Sequence, residues 1–338
     1  MSTRRFAAPE QLAEVARSAF GSGRRLVSVT RLPDGSKKGV YRLAFADGWS
    51  AIAYVWNAAE NYWPAPPQGP GPDRADPFAE ASGVDLFEAS SDYLSAAGVR
   101  TPRAYLLDRS GSSYPADLAL VEDVRGGTLE AMLRRDPQAA ERVLVRLGEY
   151  LDVMRQHRGP RPGKLALIGG EAHDGIPDRP CEQFVLDRAL GDLAEAASRV
   201  DRVAACRDQL DDVVRGLAAA VRPRAELGLI HGELGPDHVL VANDGQPVLI
   251  DVEGAMFFDV EWEHVFLRLR FGEHYRWLAT EGLDQQRLRF YALAMHLSLV
   301  AGPLRLLDGD FPDRAVMLEI AEYNLERALT FLAAGESG

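Results

Sequence analysis

The front of the chain alternates short apolar runs with glycine-containing turns, whereas apolar positions further along recur at helical spacing. Short β-branched runs bounded by turns predict strands, and apolar residues three and four positions apart predict amphipathic helices. The pattern predicts a helix over residues 78–97, ended by Gly98. It thus predicts a small antiparallel sheet with one inserted helix. The predicted strands are Leu26–Arg31, Val40–Ala46, Trp49–Trp56, Thr101–Asp108 and Ala116–Val124.

After Gly126-Gly127 the pattern becomes mostly helical. Asp136-Pro137 is a favourable start for one long helix, because proline suits the first helical position. A second helical region covers Cys181–Val221, with a break near Ser198. Two short strands interrupt the helices, at His238–Ala242 and Pro247–Asp251.

The two halves together predict an α+β protein with two lobes and a boundary near Gly126. Residues 1–125 form the strand-rich lobe, and residues 126–338 form the mainly helical lobe. The segment 61–77, within the strand-rich lobe, contains six prolines. Such a segment cannot hold regular structure, so we expect a loop that is poorly ordered or folds over the site as a lid.

The composition of the chain mainly excludes classes of partner and of protein. The 338 residues include 46% hydrophobic and 26% charged residues, which is ordinary for globular proteins. The net charge of −12 argues against nucleic acid and anionic membranes as partners, because both require clustered cations. Cys181 and Cys206 make no disulfide framework. No apolar run approaches the roughly 18 residues of a membrane span, and the start is not a secretory signal. We expect a cytoplasmic monomer or homodimer.

The chemistry concentrates in residues 229–258. Asn243-Asp244-Gly245-Gln246 lies between two apolar runs and predicts a hairpin turn. Counting outward from this turn places Asp251 opposite His238 at the open end of the hairpin. Each titratable group alone has a structural interpretation as a cap, a core histidine or a salt-bridged acid, but together they indicate an active site. The loop before the hairpin contributes His231, Glu233 and Asp237.

This run resembles the catalytic loop of the aminoglycoside phosphotransferase and choline kinase superfamily, relatives of protein kinases that phosphorylate small molecules. The family pattern is His-Gly-Asp-Leu-x-Pro-x-Asn-x-Leu, then a hairpin, then Leu-Ile-Asp-x-Glu. Two positions depart from it: Glu233 stands in place of an aspartate, and His238 in place of an asparagine. The resemblance covers nearly the whole chain, since the strand order and the glycine break agree. The matching residues are His231, Gly232, Leu234, Pro236, Leu240, Ile250, Asp251 and Glu253.

The resemblance implies a protein-kinase-like fold and phosphoryl transfer from Mg²⁺-bound ATP or GTP to a small-molecule hydroxyl. It implies that Asp251 binds Mg²⁺ through hard carboxylate oxygens, with His238 at the second metal position. Glu233 then accepts the hydroxyl proton or orients the hydroxyl, and His231 braces the loop. Asp237 stands beside the metal position, where it compensates for His238 or meets the substrate.

For the nucleotide, the resemblance implies that the turn containing Ser36, Lys37 and Lys38 covers the phosphates. The same turn is also consistent with a plain hairpin. The third strand lacks the family's phosphate-pairing lysine, so Lys37, Lys38 or an arginine such as Arg42 must replace it. Glu88 aligns with the helix glutamate that pairs with that lysine, although a solvated helix face explains Glu88 equally well.

The end of the fifth predicted strand resembles the interlobe linker, where backbone groups read the purine; Glu122 and Val124 are the candidates. The resemblance implies that residues 1–125 are the nucleotide-binding lobe and that the helical lobe, 126–338, carries the catalytic loop and the acceptor pocket. The expected acceptor contacts are Glu253, Trp262 and Glu263. The last two residues equally fit the start of a helix capped by Asp259.

The leading hypothesis is a kinase of a small polar molecule, most plausibly an antibiotic such as an aminoglycoside or a nucleoside type, acting in resistance or self-protection. A macrolide, an amino alcohol or a sugar stays open as the acceptor. The competing class is a pseudokinase that binds nucleotide or a partner without transfer, because the strand lysine is missing and two motif residues differ. A helical interaction protein leaves the hairpin end unexplained.

Overall fold

The computed structural model describes residues 4–33, 35–64, 76–167 and 179–335. Residues 65–75 of the proline-rich 61–77 segment lie outside this range, so its lid role stays a prediction. The α+β fold class is confirmed. The helices are α1 Pro9–Phe20, α2 Val84–Ala96, α3 Leu129–Arg135, α4 Pro137–Gln156, α5 Cys181–Arg199, α6 Asp201–Ala204, α7 Arg207–Ala219, α8 Val260–Phe271, α9 Gln285–Leu306 and α10 Arg314–Gly335. The strands are β1 Leu26–Leu32, β2 Gly39–Phe45, β3 Ser50–Trp56, β4 Ala104–Asp108, β5 Asp117–Glu122, β6 Arg158–Gly159, β7 Gly163–Lys164, β8 Leu227–Ile230, β9 Val239–Val241, β10 Pro247–Leu249 and β11 Met256–Phe258.

All five predicted front strands form one antiparallel sheet in the order β1-β2-β3-β5-β4. Strand β3 is buried on both faces, as its apolar sequence requires. One face packs with Leu12 and Val15 of α1 in a hydrophobic core. On the other face, the rings of Tyr54 and Trp56 lie 5.6 and 5.9 Å from Phe87 of α2. The sheet is therefore held between two helices.

The helical part contains more strands than the sequence pattern predicts. The hairpin β9–β10 is confirmed. A second antiparallel sheet of four strands, in the order β6-β8-β11-β7, was not predicted. These strands have two to four residues each, too few to show a period of two. The helices α1 and α3 were also missed, whereas the break near Ser198 is confirmed by the end of α5 at Arg199.

The chain forms two compact units, each discontinuous in sequence. The first comprises Met1–Trp63, Glu80–Val153 and Pro236–Gly254, and includes the five-stranded sheet and the hairpin β9–β10. The second comprises Pro64–Ala79, Met154–Gly235 and Ala255–Gly338, and includes the four-stranded sheet and α5 to α10. Each unit takes residues from both sides of Gly126. The assignment of nucleotide and acceptor roles to 1–125 and 126–338 stays a prediction.

Within the described ranges, no helix is long and apolar enough to cross a membrane.

Candidate active site

The hairpin register places Ile250, rather than Asp251, opposite His238. The Ile250 amide donates to the His238 carbonyl at 3.0 Å, and Ala242 donates to Gln246 at 2.9 Å. This register centres the turn on Asp244. Gly245 makes the turn possible, because it adopts a left-handed conformation with φ of 76°. The predicted register is wrong by one residue. Even so, Nε2 of His238 lies 3.9 Å from Oδ2 of Asp251.

Asp251 has an unusual backbone conformation. Its φ of 60° makes it the only non-glycine residue with a positive φ in the part of the chain that the structure describes. This conformation is unfavourable for a residue with a Cβ and persists where the surrounding structure imposes it, often at functional sites. Asp251 follows β10, and its side chain is 41% exposed. The strained backbone therefore presents a carboxylate that a ligand can reach.

Lys38 binds this carboxylate from the turn before β2. Its Nζ lies 2.9 Å from Oδ1 of Asp251 and also forms a buried ion pair with Oε1 of Glu253. The Lys38 side chain is 9% exposed, and its Nζ lies 4.8 Å from the centroid of the Tyr54 ring. A buried ammonium is costly unless it is paired, and here it has two carboxylates and an aromatic face. Glu253 is therefore a lysine partner, which corrects its expected role as an acceptor contact.

The electrostatics of this cluster favour the charged forms of both partners. Burial alone raises the pKa of Asp251, but the positive charge of Lys38, together with His238 and Lys37, holds that pKa well below its usual range. Burial lowers the pKa of Lys38, and the charges of Glu253 and Asp251 more than reverse this, so it rises above its usual value. Burial raises the pKa of Tyr54 to about 12. The ion pair is therefore intact across the neutral range.

His238 lies near the carboxylates of both Asp237 and Asp251. Nε2 of His238 lies 3.8 Å from Oδ2 of Asp237 and 3.9 Å from Oδ2 of Asp251. These three predicted residues are therefore brought together. Among the described residues, however, no three His, Cys, Asp or Glu side chains form a complete metal site. Mg²⁺ rarely needs such a site, since one or two carboxylates usually hold it together with substrate phosphates.

The loop carrying Glu233 belongs to the second unit and is anchored by Glu263. The amides of Gly232 and Leu234 donate to the two oxygens of the Glu263 carboxylate, at 2.7 and 3.3 Å. Glu263 is 2% exposed, and His231 at the start of the loop is 1% exposed. Glu233, between the two bound amides, is exposed. The backbone of the loop is thus fixed by Glu263, while Glu233 itself is an exposed residue.

Two expected acceptor contacts have structural roles instead. Glu263 braces the loop, as just described. Trp262 is 4% exposed, and its ring lies 4.7 Å from Phe78 and 5.9 Å from Tyr291. It is a core aromatic residue. Asp259 is the N-cap residue of α8 but makes no capping bond through its side chain. Its carboxylate accepts from Arg287 and Tyr291 instead.

In the turn of residues 36–38, the Ser36 carbonyl accepts from the Tyr62 amide at 2.8 Å, and the Ser36 Oγ accepts from Nε1 of Trp63 at 3.3 Å. Nζ of Lys37 lies 6.0 Å from the centre of the Trp63 ring. The turn is therefore held by residues at the start of the proline-rich segment 61–77. Its contact with phosphate stays a prediction.

Arg42 and Glu88 are engaged elsewhere. Nε and Nη2 of Arg42 bind the two oxygens of Asp123 at 2.9 and 3.1 Å, so Arg42 does not replace the strand lysine. Glu88 of α2 pairs with Arg109, and both side chains are 40% exposed, which agrees with a solvated helix face. The helix glutamate of the resembled family thus has no counterpart at Glu88.

The predicted linker residues have ordinary packing partners. The Glu122 carboxylate accepts from Arg100 at 2.9 Å and from the Arg103 amide. Val124 is 7% exposed and packs in a small cluster with Ala242 and Val248 of the hairpin region. Purine recognition by the backbone of these residues stays a prediction.

Two acidic residues whose side chains are buried near the candidate site residues were not identified from the sequence. Asp123, whose side chain is 2% exposed, accepts from Ser50 as well as Arg42. Glu60, fully buried, accepts from Arg31 and Tyr41 and from the Ala7 amide. Glu60 lies next to Gly39, which follows the turn of residues 36–38: a Cβ at Gly39 would be 2.5 Å from the Glu60 carboxyl carbon. The sequence carried one signal for each: an acid among apolar residues near a strand end.

Comparison with protein-family models identifies residues 74–297 as a phosphotransferase enzyme family domain. The chain belongs to the phosphotransferase enzyme family. The enzyme is a small-molecule kinase with the protein-kinase-like fold of aminoglycoside phosphotransferases. Comparison with curated protein sequences found no significant match.

Solved structures agree on the fold. A thermostable mutant of aminoglycoside phosphotransferase APH(4)-Ia, in ternary complex with AMP-PNP and hygromycin B, has a TM-score of 0.65 and 18% identity, covering 96% of this chain and 99% of that one. Spectinomycin phosphotransferase APH(9)-Ia, in complex with ADP and spectinomycin, has a TM-score of 0.64 and 11% identity over 97% and 99%. APH(2")-IIia, in its GDP and kanamycin complex, has a TM-score of 0.59 and 19% identity over 92% and 97%.

Proposed function

We propose that this kinase transfers the γ-phosphoryl group of a Mg²⁺-bound nucleoside triphosphate to a hydroxyl of a small polar molecule. The observation that carries the proposal is Asp251. Its backbone is held at a φ of 60°, and its partly exposed carboxylate is kept ionised by Lys38. A fixed, charged, accessible carboxylate is what a nucleotide-bound cation requires.

The donor set suits Mg²⁺. Oδ1 of Asp251 is taken by Lys38, and Oδ2 lies on the side of His238 and Asp237. Asp251 is thus the direct ligand, with Asp237 as a second carboxylate beside it. His238 is suited to a water-mediated or phosphate contact, because imidazole is a softer donor than Mg²⁺ prefers. When bound, Mg²⁺ neutralises the charge on the phosphate oxygens.

Glu233 is the residue we assign to the acceptor hydroxyl. Glu233 is exposed, and the amides of the residues on either side of it are fixed by Glu263. The bond between the γ-phosphorus and the bridging oxygen breaks, and a bond from the γ-phosphorus to the acceptor oxygen forms. The hydroxyl proton passes to Glu233, and the nucleoside diphosphate leaves with the electron pair. Because this transition state is loose, Glu233 acts mainly by orienting the hydroxyl.

An antibiotic is the acceptor we favour, in a resistance or self-protection role in the cytoplasm. Support comes from the named complexes of the similar structures, which hold hygromycin B, spectinomycin or kanamycin. Those complexes hold AMP-PNP, ADP or GDP, so ATP and GTP are both proposed donors. The net charge of −12 suits a cationic acceptor such as an aminoglycoside.

The test is transfer from radiolabelled ATP and GTP to a panel of aminoglycosides, nucleoside antibiotics, macrolides, amino alcohols and sugars. With the best acceptor, Glu233→Gln should bind nucleotide normally and lose about 10²-fold in kcat, the low end for a lost base. Glu233→Asp should also be slower, because a displacement near 1 Å can cost about 10²-fold.

Unchanged kcat in Glu233→Gln would contradict the role of Glu233. Nucleotide binding without transfer to any acceptor in the panel would contradict the choice of acceptors. A protein that binds neither nucleotide, measured by calorimetry with Mg²⁺, would overturn the proposed function as a whole.

A further inference from the structure

The face of β3 that meets α2 carries no lysine, yet an ammonium group stands directly over it. The residues of this face are Ile52, Tyr54 and Trp56, which alternate along the strand. Nζ of Lys38 lies 4.8 Å from the centroid of the Tyr54 ring and 5.9 Å from that of Trp56. Lys38 precedes β2, in which Val40 is the register partner of Tyr54.

We propose that Lys38 positions the phosphates of the nucleotide from the neighbouring strand, in the place of a lysine on β3. The inference rests on the proposed function, because it assumes a nucleotide held at Asp251. It assigns to one residue a task that the sequence left open among Lys37, Lys38 and Arg42.

Two other cations, Lys164 and Arg42, are held by partners of their own. Lys164 is 3% exposed and donates to the carbonyls of Pro77 and Ala79, so it is structural. Arg42 is bound at both Nε and Nη2 by Asp123. Lys37 lies near the Trp63 ring. Lys38 forms an ion pair with Asp251, the carboxylate that we assign to the metal.

Glu253 explains how Lys38 can serve a phosphate without losing its counterion. Lys38 has two acidic partners of different character: the Glu253 side chain is 4% exposed, and that of Asp251 is 41% exposed. The ammonium has three donor hydrogens. When Asp251 turns to the cation, Lys38 keeps Glu253 and directs a hydrogen to a phosphate oxygen. Glu253 therefore replaces the helix glutamate, for which Glu88 is unsuited because it pairs with Arg109 on the surface.

The experiment measures Mg²⁺–ATP affinity by calorimetry, and kcat and KM with the best acceptor, in three variants. Lys38→Met should lose about 10²–10³-fold in kcat/KM and bind nucleotide more weakly. Lys37→Met removes the same charge from the same turn and should lose at most about a tenth as much. In Lys38→Met/Tyr54→Lys, the new lysine starts from β3 under the site of the lost ammonium, and should recover at least about tenfold over Lys38→Met.

A second measurement does not depend on any variant. An acyl-phosphate derivative of ATP acylates the lysine beside the phosphates, and the chain has lysines only at 37, 38 and 164. Peptide mass spectrometry should find the label on Lys38, and excess Mg²⁺–ATP should prevent it. Circular dichroism and unfolding midpoints establish which variants are folded, since Tyr54 is 6% exposed.

Label on Lys37 alone, or a folded Lys38→Met that matches the unmutated enzyme in affinity and kcat/KM, would overturn the role of Lys38 while leaving the proposed function standing. Failure of the unmutated protein to bind ATP or GTP would overturn both.

Discussion

Two buried ion clusters in this molecule contain similar groups and differ in exposure. The Lys38 cluster comprises Lys38, Asp251 and Glu253 in the first unit. The Arg287 cluster comprises Asp259, Arg287 and Tyr291 in the second unit. In the Arg287 cluster the Asp259 and Arg287 side chains are each 1% exposed. In the Lys38 cluster one carboxylate, that of Asp251, is 41% exposed and strained in its backbone.

The two aspartates therefore have opposite pKa shifts. The pKa of Asp251 is lowered because Lys38 outweighs burial. The pKa of Asp259 is raised because burial outweighs the charge of Arg287 and the hydrogen bond from Tyr291. A closed cluster holds helices together, whereas a cluster with one accessible acid can exchange a partner for a ligand. Burial of a charge thus indicates structure, and partial exposure within a buried pair indicates function.

The largest contrast is expected between Asp251→Asn and Asp259→Asn, two changes of equal size. Asp251→Asn should lower transfer by about 10³-fold or more, because the site loses a charge aimed at the transition state. Its unfolding midpoint should also fall, because asparagine tolerates the left-handed backbone but removes one of the two carboxylates paired with the buried Lys38. Asp259→Asn should be less stable and keep its transfer rate per folded molecule. Loss of transfer in Asp259→Asn without loss of stability would break the comparison.

Removing the cation of the closed cluster tests its structural role. Arg287→Met should lower the free energy of unfolding by about 3–5 kcal/mol, because Asp259 stays buried without its counterion. The matched control is Arg202→Met, whose ion pairs with Glu322 and Glu326 are exposed. That change should cost much less, because solvent screens an exposed ion pair. Urea unfolding measures both, and equal losses would contradict the assignment.

The open edge of the Lys38 cluster should be sensitive to the choice of metal. His238→Asn replaces an imidazole 3.9 Å from Asp251 with an oxygen donor. The ratio of kcat/KM with Mg²⁺ to that with Mn²⁺ should rise by about tenfold, because imidazole suits softer ions. Steady-state kinetics with each metal gives the ratio. An unchanged ratio would show that His238 is structural or contacts phosphate.

The smallest effect concerns pH. The folded pKa of Asp259 is raised, so unmutated protein gains stability relative to Asp259→Asn as pH falls from 7 towards the usual value near 3.8. The folded pKa of Asp251 is lowered, so its contribution is present above about 3.8 and is lost only at lower pH. Urea unfolding of the unmutated protein, Asp259→Asn and Asp251→Asn should be measured at pH 7, 5 and 4. The stability difference from the unmutated protein should change with pH for Asp259→Asn alone. Parallel changes in both pairs would contradict the opposite shifts.

Local pattern determined much of this protein. The five front strands, the hairpin and the long helices α4 and α5 follow from periodicity and turns, since each is decided by neighbours in sequence. The motif from His231 to Glu253 was sufficient to predict the family and the fold. The sheet β6-β8-β11-β7 was beyond reach, because its short strands are stabilised by partners far away in the chain.

The roles of individual polar residues needed the tertiary structure. A sequence shows that a lysine is missing from β3, but only the structure places Lys38 over Tyr54 and beside Asp251. Likewise, Glu263 and Trp262 look like acceptor contacts until the first is found on the amides of the loop and the second in the core. Backbone structure follows from short-range preference, whereas the partner of a charged side chain is set by which distant segments fold against it. That is why the family could be predicted from the sequence, whereas the role that we propose for Lys38 could not.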